Sequence, residues 1–233
     1  MGKHLKMLDF TWNQEVIKNI LAVGDSFTYG EELEDRDNAY PYYLAKGLKA
    51  NVVNLAIPGG GNDQMVRKVI NYVVSGDPLD LAIIGWTSPG RMEFADAAGT
   101  YNIWPGYSGL KYDDMEWRLE LLQNINKHHD PRYLYEKYIV NVILLQSFLK
   151  ERNIKYCMIT TAANEYYHKT MYNDDQALPK LIDQQYYLGW PNEGMAEWTN
   201  GCKRGPKGHF LDEGHRKVTA KLYEHIRNCG WLS

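Results

Sequence analysis

The stretch Val16-Ile17-Lys18-Asn19-Ile20-Leu21-Ala22-Val23-Gly24-Asp25-Ser26-Phe27-Thr28-Tyr29-Gly30 decides how the rest of the chain is read. Val16 to Val23 is a short, mostly apolar run cut off by a glycine, which predicts a strand leading straight into a polar loop. Working outward, the same grammar repeats. Asn51 to Ile57 is a second strand, stopped by Pro58-Gly59-Gly60-Gly61; Leu79 to Ile84 is a third and Ile154 to Thr160 a fourth. Between them lie segments of helical period. Tyr40 to Leu48 accepts Pro41 in its first turn, and Asp63 to Val74 carries Met65, Val69, Ile70 and Val73. Leu134 to Leu149 places Leu134, Tyr138, Val142, Leu145 and Leu149 on one face, and Gly214 to Ile226 carries Val218, Leu222 and Ile226.

Strands alternating with helices require parallel crossovers and a sheet covered on both faces. The expectation is a three-layer α/β/α sandwich, flavodoxin-like, with a central parallel sheet of about five strands. Ligands bind such sheets beyond the carboxyl ends of the strands. Residues 91–131 and 162–211 lack clear period and read as long irregular insertions placed over that edge, within one domain spanning residues 1–233.

Composition narrows the function classes. The chain has 233 residues, is 44% hydrophobic and 24% charged, and carries 26 Lys+Arg against 29 Asp+Glu, a net charge of -3. That balance gives no general electrostatic attraction to nucleic acid or an anionic membrane. No apolar run approaches the roughly 18 residues of a membrane span. The N-terminal residues lack the apolar core of a secretion signal, so a cytoplasmic location is expected, with association to a virion kept open. Three cysteines are too few for a disulfide framework. Cys202, His209 and His215 lack short ligand spacing, so neither a metal nor an organic cofactor is expected. The glycine run at 58–61 lacks the spacing of a nucleotide loop. The outlying feature is aromatic content, with 18 Tyr and 7 Trp. These gather in the two irregular segments, at Tyr101, Trp104, Tyr107, Tyr112 and Trp117 and at Tyr186, Tyr187, Trp190 and Trp198.

Two segments carry chemistry. Ser26 follows the first strand behind a glycine, where its hydroxyl projects into the cleft and its N–H is free if a helical turn begins there. Far along the chain, Asp212-Glu213-Gly214-His215 opens the last helix. Its Asp-x-x-His spacing lets Asp212 accept from one nitrogen of His215 and leaves the other as a general base for a serine.

Together these blocks resemble the SGNH (GDSL-type) serine hydrolases. Gly24-Asp25-Ser26 is similar to that family's first block and Asp212-Glu213-Gly214-His215 to its last. Asn54-Leu55-Ala56-Ile57-Pro58-Gly59 is similar to the second. The resemblance implies a catalytic set of Ser26, Asp212 and His215, with oxyanion donors from the N–H groups of Ser26 and Gly59, Gly60 being the rival. The third block departs: Gly85-Trp86-Thr87-Ser88 stands where the family has Gly-x-Asn-Asp, so Thr87 replaces the usual asparagine. Thr87, Ser88 or Asn62 is then the expected third donor, and Trp86, Trp104 and Trp190 are candidate substrate contacts. A third block of this kind is similar to that of hydrolases from bacteriophage genomes. The implied activity is ester hydrolysis; a small-acyl ester, preferentially an O-acetyl group on a carbohydrate, is expected because the two irregular segments are polar and rich in Trp and Tyr and include no long apolar lid. The alternatives are a catalytically weakened glycan-binding module and an acyltransferase using the same serine. Oligomeric state is not legible.

Overall fold

The computed structural model describes residues 16–97, 99–105, 116–161 and 177–232. Its centre is a parallel sheet of β1 (Asn19–Val23), β2 (Asn51–Asn54), β3 (Leu81–Trp86), β6 (Lys155–Thr160) and β7 (Tyr187–Leu188), in the order β2-β1-β3-β6-β7. Register runs Ile20 to Val52 and Leu81, Ile83 to Cys157, and Met158 to Tyr187. Every residue of β3 and β6 is buried, as continuous apolar runs in a sheet covered on both faces require.

The helices form two layers. α2 (Tyr40–Leu48) packs with the last helix, α7 (Asp212–Asn228), and α3 (Asn62–Val74) packs with α5 (Pro131–Glu151). The stripes read from the sequence are the ones buried: Leu134, Tyr138, Val142, Leu145 and Leu149 on α5, and Val218, Leu222 and Ile226 on α7. This is the expected three-layer α/β/α sandwich.

The departures lie at element ends and in the long segments. β1 starts three residues later than expected, β2 ends at Asn54, and β3 runs on to Trp86. The first irregular segment holds an antiparallel hairpin of β4 (Met92–Asp96) and β5 (Gly99–Ile103), then α4 (Glu116–His128) and the start of α5. The second holds β7 and the short α6 (Met195–Trp198). Tyr107 and Tyr112 lie outside the described residues. The cluster at 186–190 is core rather than surface: Tyr187 packs on Trp190 at 5.0 Å, and Tyr186 stacks on Trp231 at 5.2 Å. Among the described residues no helix is long and apolar enough to cross a membrane.

Candidate active site

β1 delivers Ser26 to the carboxyl edge of the sheet. Asp25 caps the single-turn helix α1 (Ser26–Tyr29), its side chain accepting from Phe27 N–H at 3.0 Å, and Gly30 closes the turn at φ 84°. Ser26 is therefore the first helical residue, and its N–H has no acceptor among the described residues. Gly24 has no room for a side chain, since a Cβ would sit 2.0 Å from Thr28 Oγ1.

The imidazole facing Ser26 belongs to His209. Its Nε2 lies 2.8 Å from Ser26 Oγ, and its Nδ1 lies 2.8 Å from Glu32 Oε2. Glu32 also accepts the main-chain N–H groups of Lys207, at 2.7 Å, and His209, at 3.1 Å. These bonds outweigh the upward push of partial burial and hold its carboxyl below the usual range. An ionised Glu32 assigns the ring proton to Nδ1, which leaves Nε2 to accept from the serine hydroxyl.

Local backbone explains how Glu32 reaches the ring. Glu31 N–H binds Ser26 O at 3.0 Å, and Glu32 adopts φ 70°, a left-handed conformation rare outside glycine. The turn aims the carboxylate back at the loop carrying His209. That loop is folded by Gly205 N–H to His209 O, at 2.8 Å, and by an antiparallel bridge of Arg204 with Phe210. A Cβ on Gly205 would come within 2.6 Å of the Glu32 carboxylate, so a side chain there would have to displace it.

The expected pair Asp212 and His215 is not brought to Ser26. α7 begins at Asp212, and its first turn carries His215 inward behind Phe210, the ring centroids 4.6 Å apart. His215 is buried at 1% exposure, and its Nδ1 accepts Tyr40 N–H at 3.2 Å. Burial lowers its pKa to about 4, with Asp212 only partly offsetting this, so the ring is neutral near pH 7. Asp212 turns to the surface, where Arg216 and the Tyr43 hydroxyl bind it and lower its pKa. The Asp-x-x-His spacing is thus a helix-start pattern here. The residue three positions before His209 is Pro206, which cannot serve as its acid. The signal in the sequence for the carboxylate that His209 contacts was the pair Glu31 and Glu32, directly after the serine block.

The oxyanion candidates also separate. Thr87 is fully buried, its hydroxyl donating to Asp25 Oδ2 at 2.7 Å and its N–H to Asn62 Oδ1 at 3.0 Å. The Asn62 amide donates to Thr87 O and Ser88 O, and Gly60 N–H donates to Ile57 O at 3.0 Å. The donors of Thr87, Asn62 and Gly60 are thus engaged within the fold. Gly59, at φ 73° in the same turn, has an N–H with no acceptor among the described residues, as does Ser26. The Ser88 hydroxyl has no partner among the described residues either. Asp25 is a structural hub: besides Phe27 N–H and Thr87 it accepts from Thr161 at 3.0 Å and Arg91 at 3.3 Å.

Of the tryptophans, Trp86 is fully buried, edge-on to Tyr138 at 5.9 Å, and Trp190 packs on Tyr187, so both are core. Trp104 stands at the site. Its ring would lie 3.5 Å from a Cβ on Gly59, and Arg91 stacks over it at 4.8 Å. The β4–β5 hairpin is held to the glycine loop by Gly61 N–H donating to Asn102 Oδ1 at 3.0 Å. Glu93 pairs with Arg67 and Gln64.

No protein-family model matches the chain, and no curated protein matches it in sequence. Solved structures do match. A G-D-S-L family protein from Desulfitobacterium hafniense aligns with TM-score 0.53 at 13% identity, over 89% of this chain and 99% of that one. A carbohydrate esterase family 2 enzyme with a carbohydrate binding domain, from Myceliophthora fergusii, aligns with TM-score 0.57 at 14% identity, over 92% of this chain and 67% of that one. The acetyl xylan esterase Est2A from Butyrivibrio proteoclasticus aligns with TM-score 0.52 at 12% identity, over 92% and 65%. The chain has the fold of the SGNH (GDSL-type) hydrolases.

Proposed function

We propose that the chain is a serine ester hydrolase working through Ser26, His209 and Glu32. The observation that carries this reading is the continuous path from Ser26 Oγ through both nitrogens of His209 to Glu32. A serine hydroxyl becomes nucleophilic only when a base accepts its proton as it attacks. Ser26 Oγ adds to the ester carbonyl while His209 Nε2 takes the proton. Glu32 stabilises the imidazolium without itself being protonated. The N–H groups of Ser26 and Gly59 receive the carbonyl oxygen as it gains charge. His209 then protonates the departing alcohol, and a water activated at the same nitrogen releases the acyl group and restores Ser26.

The substrate class favoured is a small-acyl ester of a carbohydrate. Trp104 beside Gly59 offers a flat ring next to the acyl site. Two of the structural neighbours are a carbohydrate esterase and an acetyl xylan esterase. An intact path from serine to carboxylate favours turnover over passive glycan binding. Incubation with a fluorophosphonate probe tests the reading: wild type is labelled at Ser26 and Ser26→Ala is not. Absence of labelling in the wild type contradicts it.

A further inference from the structure

His209 Nε2 has a second neighbour that the mechanism leaves without a role. Glu31 Oε2 lies 3.8 Å from it, on the adjacent residue to the carboxylate that holds Nδ1. Consecutive glutamates thus approach the two nitrogens of one ring. Glu31 is fixed relative to the nucleophile by its N–H bond to Ser26 O. Its Oε1 accepts from Lys207 Nζ at 2.8 Å, and the Glu31 side chain is 21% exposed. Oε2 is therefore an acceptor on a partly exposed carboxylate, beside the nitrogen that hands a proton to the leaving alcohol.

We infer that Glu31 Oε2 is the acceptor of a leaving-group subsite, taking a hydrogen bond from a free hydroxyl next to the esterified oxygen. This rests on the proposed esterase reading. A leaving oxygen must come within about 3 Å of Nε2 to be protonated. Neighbouring oxygens of a diol stand about one hydrogen-bond length apart, so the second reaches a carboxylate held 3.8 Å from that nitrogen. A carboxylate accepts and cannot donate, so it selects an alcohol half that carries a hydroxyl donor. The substrate class is a monoester of a vicinal diol or larger polyol, the chemistry of a partly acylated sugar.

Two esters that differ by one hydroxyl test this: 2-acetoxycyclohexanol and cyclohexyl acetate. The quantity read is the ratio of their kcat/KM values in wild type, Glu31→Ala and Glu31→Gln. A hydrogen bond to a charged acceptor corresponds to roughly a 10- to 100-fold preference. Wild type is expected to exceed Glu31→Ala in this ratio by that factor, with Glu31→Gln between them because its carbonyl still accepts. Equal ratios in wild type and Glu31→Ala overturn the inference, even where both rates fall, because Glu31 then acts only through the imidazole. Absence of Ser26-dependent turnover of either ester overturns the esterase reading itself.

Discussion

Ser26 and Glu32, six positions apart in the sequence, bind opposite nitrogens of the His209 ring, each at 2.8 Å. In the proposed mechanism, one short stretch after β1 therefore supplies both the group His209 activates and the group that orients it. The last segment of the chain contributes only the imidazole. This arrangement separates the candidate acids. Glu32→Gln keeps shape but cannot fix the Nδ1 proton, and a comparable change in a serine protease costs about 10⁴ in kcat. A loss of about 10³- to 10⁴-fold is expected for Glu32→Gln on p-nitrophenyl acetate. Asp212→Asn, at the surface beside Arg216, is expected within about threefold of wild type by the same assay.

Gly205 gives an indirect test of the same carboxylate. A Cβ there meets Glu32 at 2.6 Å, so Gly205→Ala must displace the acid. Displacement by about 1 Å of a positioning group costs about 100-fold. The expected result is a kcat reduced roughly 10- to 100-fold, with KM for a small ester little changed.

The Thr87 hydroxyl donates to Asp25, so the proposed role of Thr87 is to support that carboxylate rather than to serve as an oxyanion donor. Thr87→Val removes one of the hydrogen bonds to a buried carboxylate and is expected to cost about 1–3 kcal/mol in urea unfolding. Its kcat is expected to stay within about tenfold of wild type. Removal of a true oxyanion donor costs about 10²–10³. The two quantities, measured on one variant, decide which role Thr87 has.

Much of the fold was legible in the sequence because the determining interactions are local. Buried strands read as short apolar runs, and α5 and α7 announced their stripes at helical spacing. The β4–β5 hairpin was not legible, because its strands are only partly buried and show little alternation, and β7 is too short to leave a pattern. Ser26 was legible from the strand-to-loop transition. The histidine the structure places beside it was not: His209 and His215 flank the same helix start, and only His215 has an aspartate at the short spacing that local reasoning rewards. What separates them is a contact 177 residues long in sequence, from Glu32 to His209, which no spacing rule contains.

The buried His215 gives a pH signature of its own. Its folded pKa, about 4, lies below the ordinary value of 6.5, so the unfolded chain binds the extra proton first as pH falls. Its contribution to stability is complete above about pH 6.5, declines through the window down to about 4, and is then lost. The full gap corresponds to about 3 kcal/mol. His215→Asn, whose amide oxygen can still accept Tyr40 N–H, is expected to flatten the slope of unfolding free energy across that window. Urea titrations at a series of pH values check this.

The most direct test sets the two histidines against each other. The rates of p-nitrophenyl acetate hydrolysis are measured for His209→Ala and His215→Asn, with folding of each variant checked by its urea midpoint. Loss of a member of a serine triad costs on the order of 10⁴–10⁶ in kcat. That loss is expected for His209→Ala, and a rate within about tenfold of wild type for His215→Asn. A folded His209→Ala variant that retains wild-type turnover, or a folded His215→Asn variant that loses it, would contradict the assignment of His209 as the base.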